Sequence, residues 1–405
     1  MRVLITSDWF APTVNGVVTS ILNLQEQLEA HGHEVKILTL KQKEAAESEA
    51  CVYEVPSFSA GVLYPGARIM RTLGTQELKE IREWGPDLIH TQCEFSTFVL
   101  AQMIASKLDI PIVHTYHTVY EDYVHYFSAN AALGRSLVRK FSQNVLHRVD
   151  RVVVPTRKVE TLLEGYGVET PISIVPTGID LSRFTLVDPD EREALRSSFK
   201  VAPEELLLVF LGRLAKEKNI EEIMAFLHEL PAGIRLAVVG GGPYKKVLES
   251  FVAQENLGDR VIFTGMVQPE EVARYYQMAD VFVSASTSET QGLTYVEALA
   301  AGLPSICRKD ACLEEVLYDG VNGWQYETKE EFLTAVMRLK QDPLLRQSMA
   351  LQAVDIAQRY SKEAFYEGII KVYELTLESP PRRKEPLSER LLQKIMPGGA
   401  PFEGL

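Results

Sequence analysis

The chain has 405 residues, 46% of them hydrophobic and 24% charged, with a net charge of −13. That length suits two domains better than one, and the acidic balance argues against a general nucleic-acid binder. The four cysteines (Cys51, Cys93, Cys307, Cys312) form no zinc pattern and read as reduced, several of them buried; no apolar run reaches the ~20 residues of a membrane span.

Residues 2–7 read as a first strand, so no signal peptide is expected ahead of them. A loop holding Asp8, Asn15 and Gly16 follows, then helical spacing from Val17 to Ala30 and a second strand, Glu34–Leu40. Strand, glycine loop, helix, strand is the start of a doubly wound parallel sheet. No G-x-G-x-x-G fingerprint accompanies it, so a dinucleotide cofactor is not expected. His31 and His33 sit at the helix–strand turn with no third ligand and read as structural. Strand-like runs recur at 86–90, 110–115, 149–155 and 172–176, with helical segments between. Ligands of such sheets bind at the carboxyl ends of the strands, where His90, His117, Thr156 and Gly178 stand.

A charged stretch, 188–200, reads as a connection. The alternation then restarts: strand 206–211, helix 219–230, strand 234–239, helix 243–254, strand 261–263, helix 269–277, strand 281–284. From 328 to 377 the pattern is helical. The expected organisation is an α/β chain of two Rossmann-like domains, 1–185 and 200–360, then a helix at 361–378 and a mobile tail at 379–405. The tail carries one short amphipathic segment at 387–396.

The chemistry is concentrated after the strand 281–284. Gly292 turns the chain into a helix, and Glu289 and Glu297 bracket that turn. Free N–H groups and a positive dipole end suit a phosphate. A carboxylate suits vicinal hydroxyls, because it accepts two hydrogen bonds. Upstream, Arg213 and Lys218 lie beside another helix start, where Asn219 is positioned to cap. Two cations at a positive dipole end call for an anion, and a diphosphate would serve. Gly240, Gly241 and Gly242 follow a strand and permit close backbone approach.

These motifs resemble the donor site of glycosyltransferase family 4: an Arg-x4-Lys pair and, downstream, two glutamates separated by seven residues. The resemblance implies a GT-B fold, two doubly wound domains facing across a cleft, with the last helix crossing back to the first domain. It implies that Glu289 contacts the transferred sugar, that Glu297 holds the ribose, and that Arg213 and Lys218 clamp the diphosphate. It places Gly16, Gly212, Gly241, Gln291, Gly292, Leu293 and Thr294 around the donor, with a backbone contact to the base at Val267. His117 matches the family histidine near the sugar and the acceptor. With His117, Arg213, Lys218 and Glu289 form the expected catalytic set.

The run Thr115-Tyr116-His117-Thr118-Val119-Tyr120-Glu121-Asp122-Tyr123-Val124-His125-Tyr126 narrows the resemblance to bacterial diacylglycerol glucosyltransferases. That implies retaining transfer of glucose from UDP-glucose to the 3-hydroxyl of 1,2-diacylglycerol, with no obligatory metal. Tyr120, Tyr123 and Tyr126 are the acceptor-side candidates. Arg135, Arg139 and Lys140 lie in a basic segment with apolar residues at helical spacing, which reads as peripheral binding to an anionic membrane at its cytoplasmic face. The segment 58–73 is a second membrane-facing candidate. Three alternatives stay open: a family 4 enzyme with another acceptor (a polyprenyl-linked sugar, phosphatidylinositol or a wall polymer), a UDP-sugar epimerase, or a non-enzymatic sugar-nucleotide sensor or partner subunit of a transferase.

Overall fold

The computed structural model describes residues 1–13, 15–42, 51–60, 68–73, 75–121, 131–184 and 188–381. Tyr123, Tyr126, the central part of segment 58–73 and the tail beyond 381, with its segment 387–396, lie outside the described residues. The chain divides into two compact units. One is Met1–Pro176 with the chain from Glu363 onward; the other is Thr177–Lys362.

The first unit holds β1 (Arg2–Ser7), β2 (Glu34–Leu40), β3 (Val52–Val55), β4 (Ser57–Ser59), β5 (Arg68–Met70), β6 (Leu88–Thr91), β7 (Ile112–Thr115), β8 (Arg151–Val154) and β9 (Ile172–Ile174). Seven of these form one sheet in the order β3-β2-β1-β6-β7-β8-β9, and every pairing is parallel. β4 and β5 form a separate antiparallel hairpin. The helices are α1 (Gly16–Ala30), α2 (Thr75–Trp84), α3 (Ser96–Leu108), α4 (Ala131–Leu146) and α5 (Arg157–Tyr166). α1 starts where Asn15 Oδ1 accepts the Val18 N–H at 2.9 Å, an ordinary side-chain cap. All of β6 and β7 is buried, as expected of a parallel sheet covered on both faces.

The second unit opens with α6 (Pro189–Ser198), followed by β10 (Leu206–Leu211), α7 (Ile220–Phe226), β11 (Ile234–Val239), α8 (Lys245–Gln254), β12 (Val261–Gly265), α9 (Val272–Gln277), β13 (Val281–Ser284), α10 (Leu293–Ala300), β14 (Ser305–Arg308), β15 (Gly323–Tyr326), α11 (Lys329–Gln341) and α12 (Pro343–Ala357). Its sheet runs β12-β11-β10-β13-β14-β15, again wholly parallel. A reciprocal Thr328–Glu331 cap starts α11, and Asp342 with Pro343 starts α12.

The 188–200 stretch is not a bare connection. Asp188 caps α6, and the buried Arg196 and half-exposed Arg192 of that helix both hold Asp280, at 3.1 and 2.8 Å. Arg196 also meets the carbonyls of Met278, Ala202 and Glu205. This network ties α6 to the second unit, which begins at Thr177, ahead of the charged stretch.

The last helix, α13 (Lys362–Leu377), belongs mostly to the first unit. Phe365, Ile369, Val372 and Tyr373 pack in one core with Val3, Ile5, Leu24 and Val113. Tyr366 stacks on His31 with ring centroids 4.0 Å apart and meets His33 Nε2 at 3.2 Å. The two turn histidines therefore anchor this helix. Cys93, Cys307 and Cys312 are buried, and no cysteine is in a disulfide. Among the described residues, no helix is long and apolar enough to cross a membrane.

Candidate active site

Each sheet reverses its strand order once: between β1 and β6 in the first unit, and between β10 and β13 in the second. At such a point neighbouring loops leave in opposite directions and open a crevice at the strands' carboxyl ends. The expected site residues gather at these two places.

In the second unit the crevice is built largely from backbone. Gly212 N–H donates to Val239 O, Leu214 N–H to Gly241 O and Gly240 N–H to Gly265 O, at 2.9–3.0 Å. The loops after β10, β11 and β12 thus form one hydrogen-bonded platform. Only glycine fits two of its positions. A Cβ at Gly240 would lie 2.0 Å from Gly212 O, and one at Gly242 would lie 2.3 Å from Leu214 O; both residues have positive φ. Gly241 sits against Met266, which is 85% exposed, while Val267 packs into the core beside it.

Lys218 ends a short 3-10 turn, Lys216–Lys218, and its Nζ lies 2.5 Å from Glu289 Oε1. Both side chains are mostly shielded, at 18% and 17% exposure, so the pair is screened less than a surface pair would be. The loops after β10 and β13 therefore bring together a cation and a carboxylate that are 71 residues apart in sequence. Asn219 does not cap α7 as expected. It adopts φ 50°, ψ 41°, and its amide donates to Glu222 Oε2 at 2.9 Å, so its side chain turns along the helix instead of back over the N-terminus. Arg213 is half-buried in the same loop.

Gly292 opens α10 with φ 75°, and Tyr295 lies close beneath it. Leu293 and Thr294 form the first turn of α10. Glu297 accepts a hydrogen bond from Tyr276 at 2.8 Å. Burial pushes its pKa up, while that bond and Arg183 pull it down. Gln291 holds Thr177 with both ends of its amide: the oxygen takes the Thr177 N–H at 2.8 Å and the nitrogen donates to Thr177 O at 2.9 Å.

In the first unit the crevice is built from side chains. Asp8 accepts the N–H groups of Ser96 and Thr97, at 3.0 and 2.7 Å, and so caps α3. Burial raises its pKa against the effect of those bonds. Glu94, buried, accepts from Tyr120 at 2.5 Å and lies 3.4 Å from His114 Nε2. His90 is bonded on both ring nitrogens, to Tyr373 and Thr115, and is structural. His117 Nε2 lies 2.6 Å from Gln92 Oε1, and burial pushes the histidine down to about 4. Gln92 and Glu94 escape a reading of the sequence. The available signal is their place immediately after β6, at the reversal of strand order. Gly16 is the first residue of α1, in the loop after β1.

On α4, Val138, Val145 and Leu146 face the core, while Leu133 and Leu137 are more than half exposed beside Arg135, Arg139 and Lys140. The hairpin exposes Phe58 and Ile69. Among the described residues no group of three or more His, Cys, Asp or Glu is placed to hold a metal ion.

The family model described as Glycosyltransferase Family 4 matches residues 14–183, and that described as Glycosyl transferases group 1 matches 191–354. The alpha-monoglucosyldiacylglycerol synthase of Streptococcus pneumoniae is 37% identical over 346 residues, covering 83% of this chain and 78% of the relative. The synthase of the same name from Acholeplasma laidlawii is 33% identical over 392 residues, covering 92% and 96%. The crystal structure of Anabaena HepE in complex with UDP-glucose superimposes with a TM-score of 0.73 at 17% identity, over 92% of this chain and 99% of that one. The fold is GT-B. With both halves matched and two relatives above 30% identity along most of their length, the chain belongs to glycosyltransferase family 4.

Proposed function

We propose that this glycosyltransferase moves glucose from UDP-glucose to the 3-hydroxyl of 1,2-diacylglycerol, with retention, at the cytoplasmic face of an anionic membrane. The observation that carries the donor side is the shielded Lys218–Glu289 pair at the strand-order reversal, one turn of helix from Glu297. The names of the two relatives above 30% identity support the acceptor.

In the step, the bond between the sugar C1 and the diphosphate oxygen breaks, and its electron pair stays on the phosphate. Lys218, Arg213 and the N–H groups opening α10 meet that charge, a term commonly the largest in catalysis. Protein cations thereby act where other transferases use a metal. The acceptor oxygen bonds to C1 on the face the phosphate leaves, and the acceptor proton passes to the phosphate. No enzymic nucleophile is assigned. Glu289 leaves Lys218 to receive a sugar hydroxyl, Glu297 takes the ribose hydroxyls, the main chain at Val267 reads the base, and Gly16, Gly212 and Gly241 admit the diphosphate.

The membrane reading rests on the exposed Leu133 and Leu137 beside three cations, with the Phe58–Ile69 hairpin as a second contact. Sedimentation with anionic vesicles should fall steeply as salt rises; recovery that ignores salt would remove the electrostatic part. The deciding test is product analysis with diacylglycerol in micelles and a panel of UDP-sugars. Glucosyldiacylglycerol from UDP-glucose alone is the expected result. Transfer only to another lipid or to a soluble acceptor would overturn it, and sugar release that needs no acceptor would mark an epimerase.

A further inference from the structure

The polar side chains at the carboxyl end of the first sheet fall into separate sets. Glu94 serves Tyr120 and His114, and His114 Nδ1 meets Thr91 at 2.7 Å. Gln92 and His117 form a set of their own. Gln92 is 2% exposed; its Oε1 is bound to His117, and its Nε2 has no hydrogen-bond partner among the described residues.

An amide oxygen only accepts, so the imidazole nitrogen 2.6 Å away must carry the hydrogen. Burial disfavours the imidazolium at His117. Glu94 favours it, and His114 opposes it. His90, on the neighbouring strand, is held well below the usual histidine range by burial and adds no fixed charge. The ring is therefore neutral near pH 7, with its hydrogen on Nε2. That leaves a lone pair on Nδ1, for which the structure gives no hydrogen bond among the described residues.

We propose that Gln92 is a positioning residue that locks His117 in its Nε2–H form, so that Nδ1 accepts a hydrogen bond from a substrate hydroxyl. The alternative role of His117, a donor to a sugar oxygen, requires the opposite tautomer or the imidazolium. A carboxylate in place of the amide would favour the charged ring, because a nearby opposite charge raises a histidine pKa. The amide orients it without charging it. This inference rests on the proposed glycosyl transfer and on the resemblance that puts His117 near the sugar and the acceptor.

Two measurements on the full chain test it. In the first, ¹⁵N-histidine NMR of the wild type from pH 5 to 8 should show Nε2 of His117 in the protonated range and Nδ1 in the unprotonated range. The reverse pattern, or an imidazolium at pH 7, would overturn the proposal whatever the enzyme transfers. In the second, the pH dependence of glucosyl transfer is compared in Gln92→Glu and Gln92→Met, each checked for an unchanged melting temperature. Gln92→Glu should move the acid limb of kcat/KM up by about one pH unit or more. Gln92→Met should lower kcat about tenfold without moving the limb. A wild-type profile in a folded Gln92→Glu protein would count against the lock. If diacylglycerol proves not to be the acceptor, the NMR result stands independently, so the two failures are distinguishable.

Discussion

The two sheets solve the same topological problem in different materials. Where the second sheet reverses its strand order, the crevice is lined by glycines and main-chain groups, with a few charged side chains above them. Where the first reverses, it is lined by side chains: Asp8, Gln92, Glu94, His114, His117 and Tyr120. On the proposed reading the main-chain platform takes the donor's diphosphate, and it tolerates little change because its loops touch backbone to backbone. A side-chain cluster can be altered residue by residue, which suits the partner that differs between members of one family, the acceptor.

Three substitutions would break or sharpen that contrast. The largest effect is expected from Gly240→Ala. Its new methyl would overlap Gly212 O at positive φ, so the platform must shift. A stability loss of about 2–4 kcal/mol and loss of UDP binding should appear in thermal melts and calorimetry. A variant that still binds UDP as the wild type does would show that the platform is not where the donor sits. Lys218→Ala comes next. Turnover should drop by roughly 100-fold or more, the usual cost of one group that stabilises transition-state charge, while UDP affinity changes much less. Equal losses in both would make Lys218 a binding residue only. The smallest effect belongs to the other crevice. Tyr120→Phe leaves Glu94 short of a partner in a buried place, at a cost of about 1–3 kcal/mol of stability. UDP affinity should be untouched while the KM for the lipid rises. A change in UDP affinity would dissolve the division of labour.

Much of this was legible in the residues. Apolar runs announced six of the seven strands of the first sheet and four of the six of the second; β3, β14 and β15 went unread. Glu289 and Glu297, read across a glycine turn, do fall beside the strand-order reversal of the second sheet, with Glu289 on Lys218. What stayed hidden depends on distant partners. Asp8 caps a helix 89 residues away. Gln291 spends both ends of its amide on Thr177, 114 residues back. The charged segment that looked like a connection is a helix because Asp280 waits for its arginines. Asn219 had the right residue type for a cap, but its left-handed backbone aims the side chain at Glu222. Local patterns carry local structure; the first three of these features need the sheet order first, while Asn219 is turned by its own backbone angles.

The return of α13 to the opening sheet has a practical meaning for anyone dividing the gene. Residues 1–176 alone would lack Phe365, Ile369, Val372 and Tyr373, and would leave Val3, Ile5 and Val113 bare on one side. The first fragment would carry an uncovered apolar face. Supplying the closing helix, fused or as a separate peptide, is the condition for studying the acceptor half in isolation.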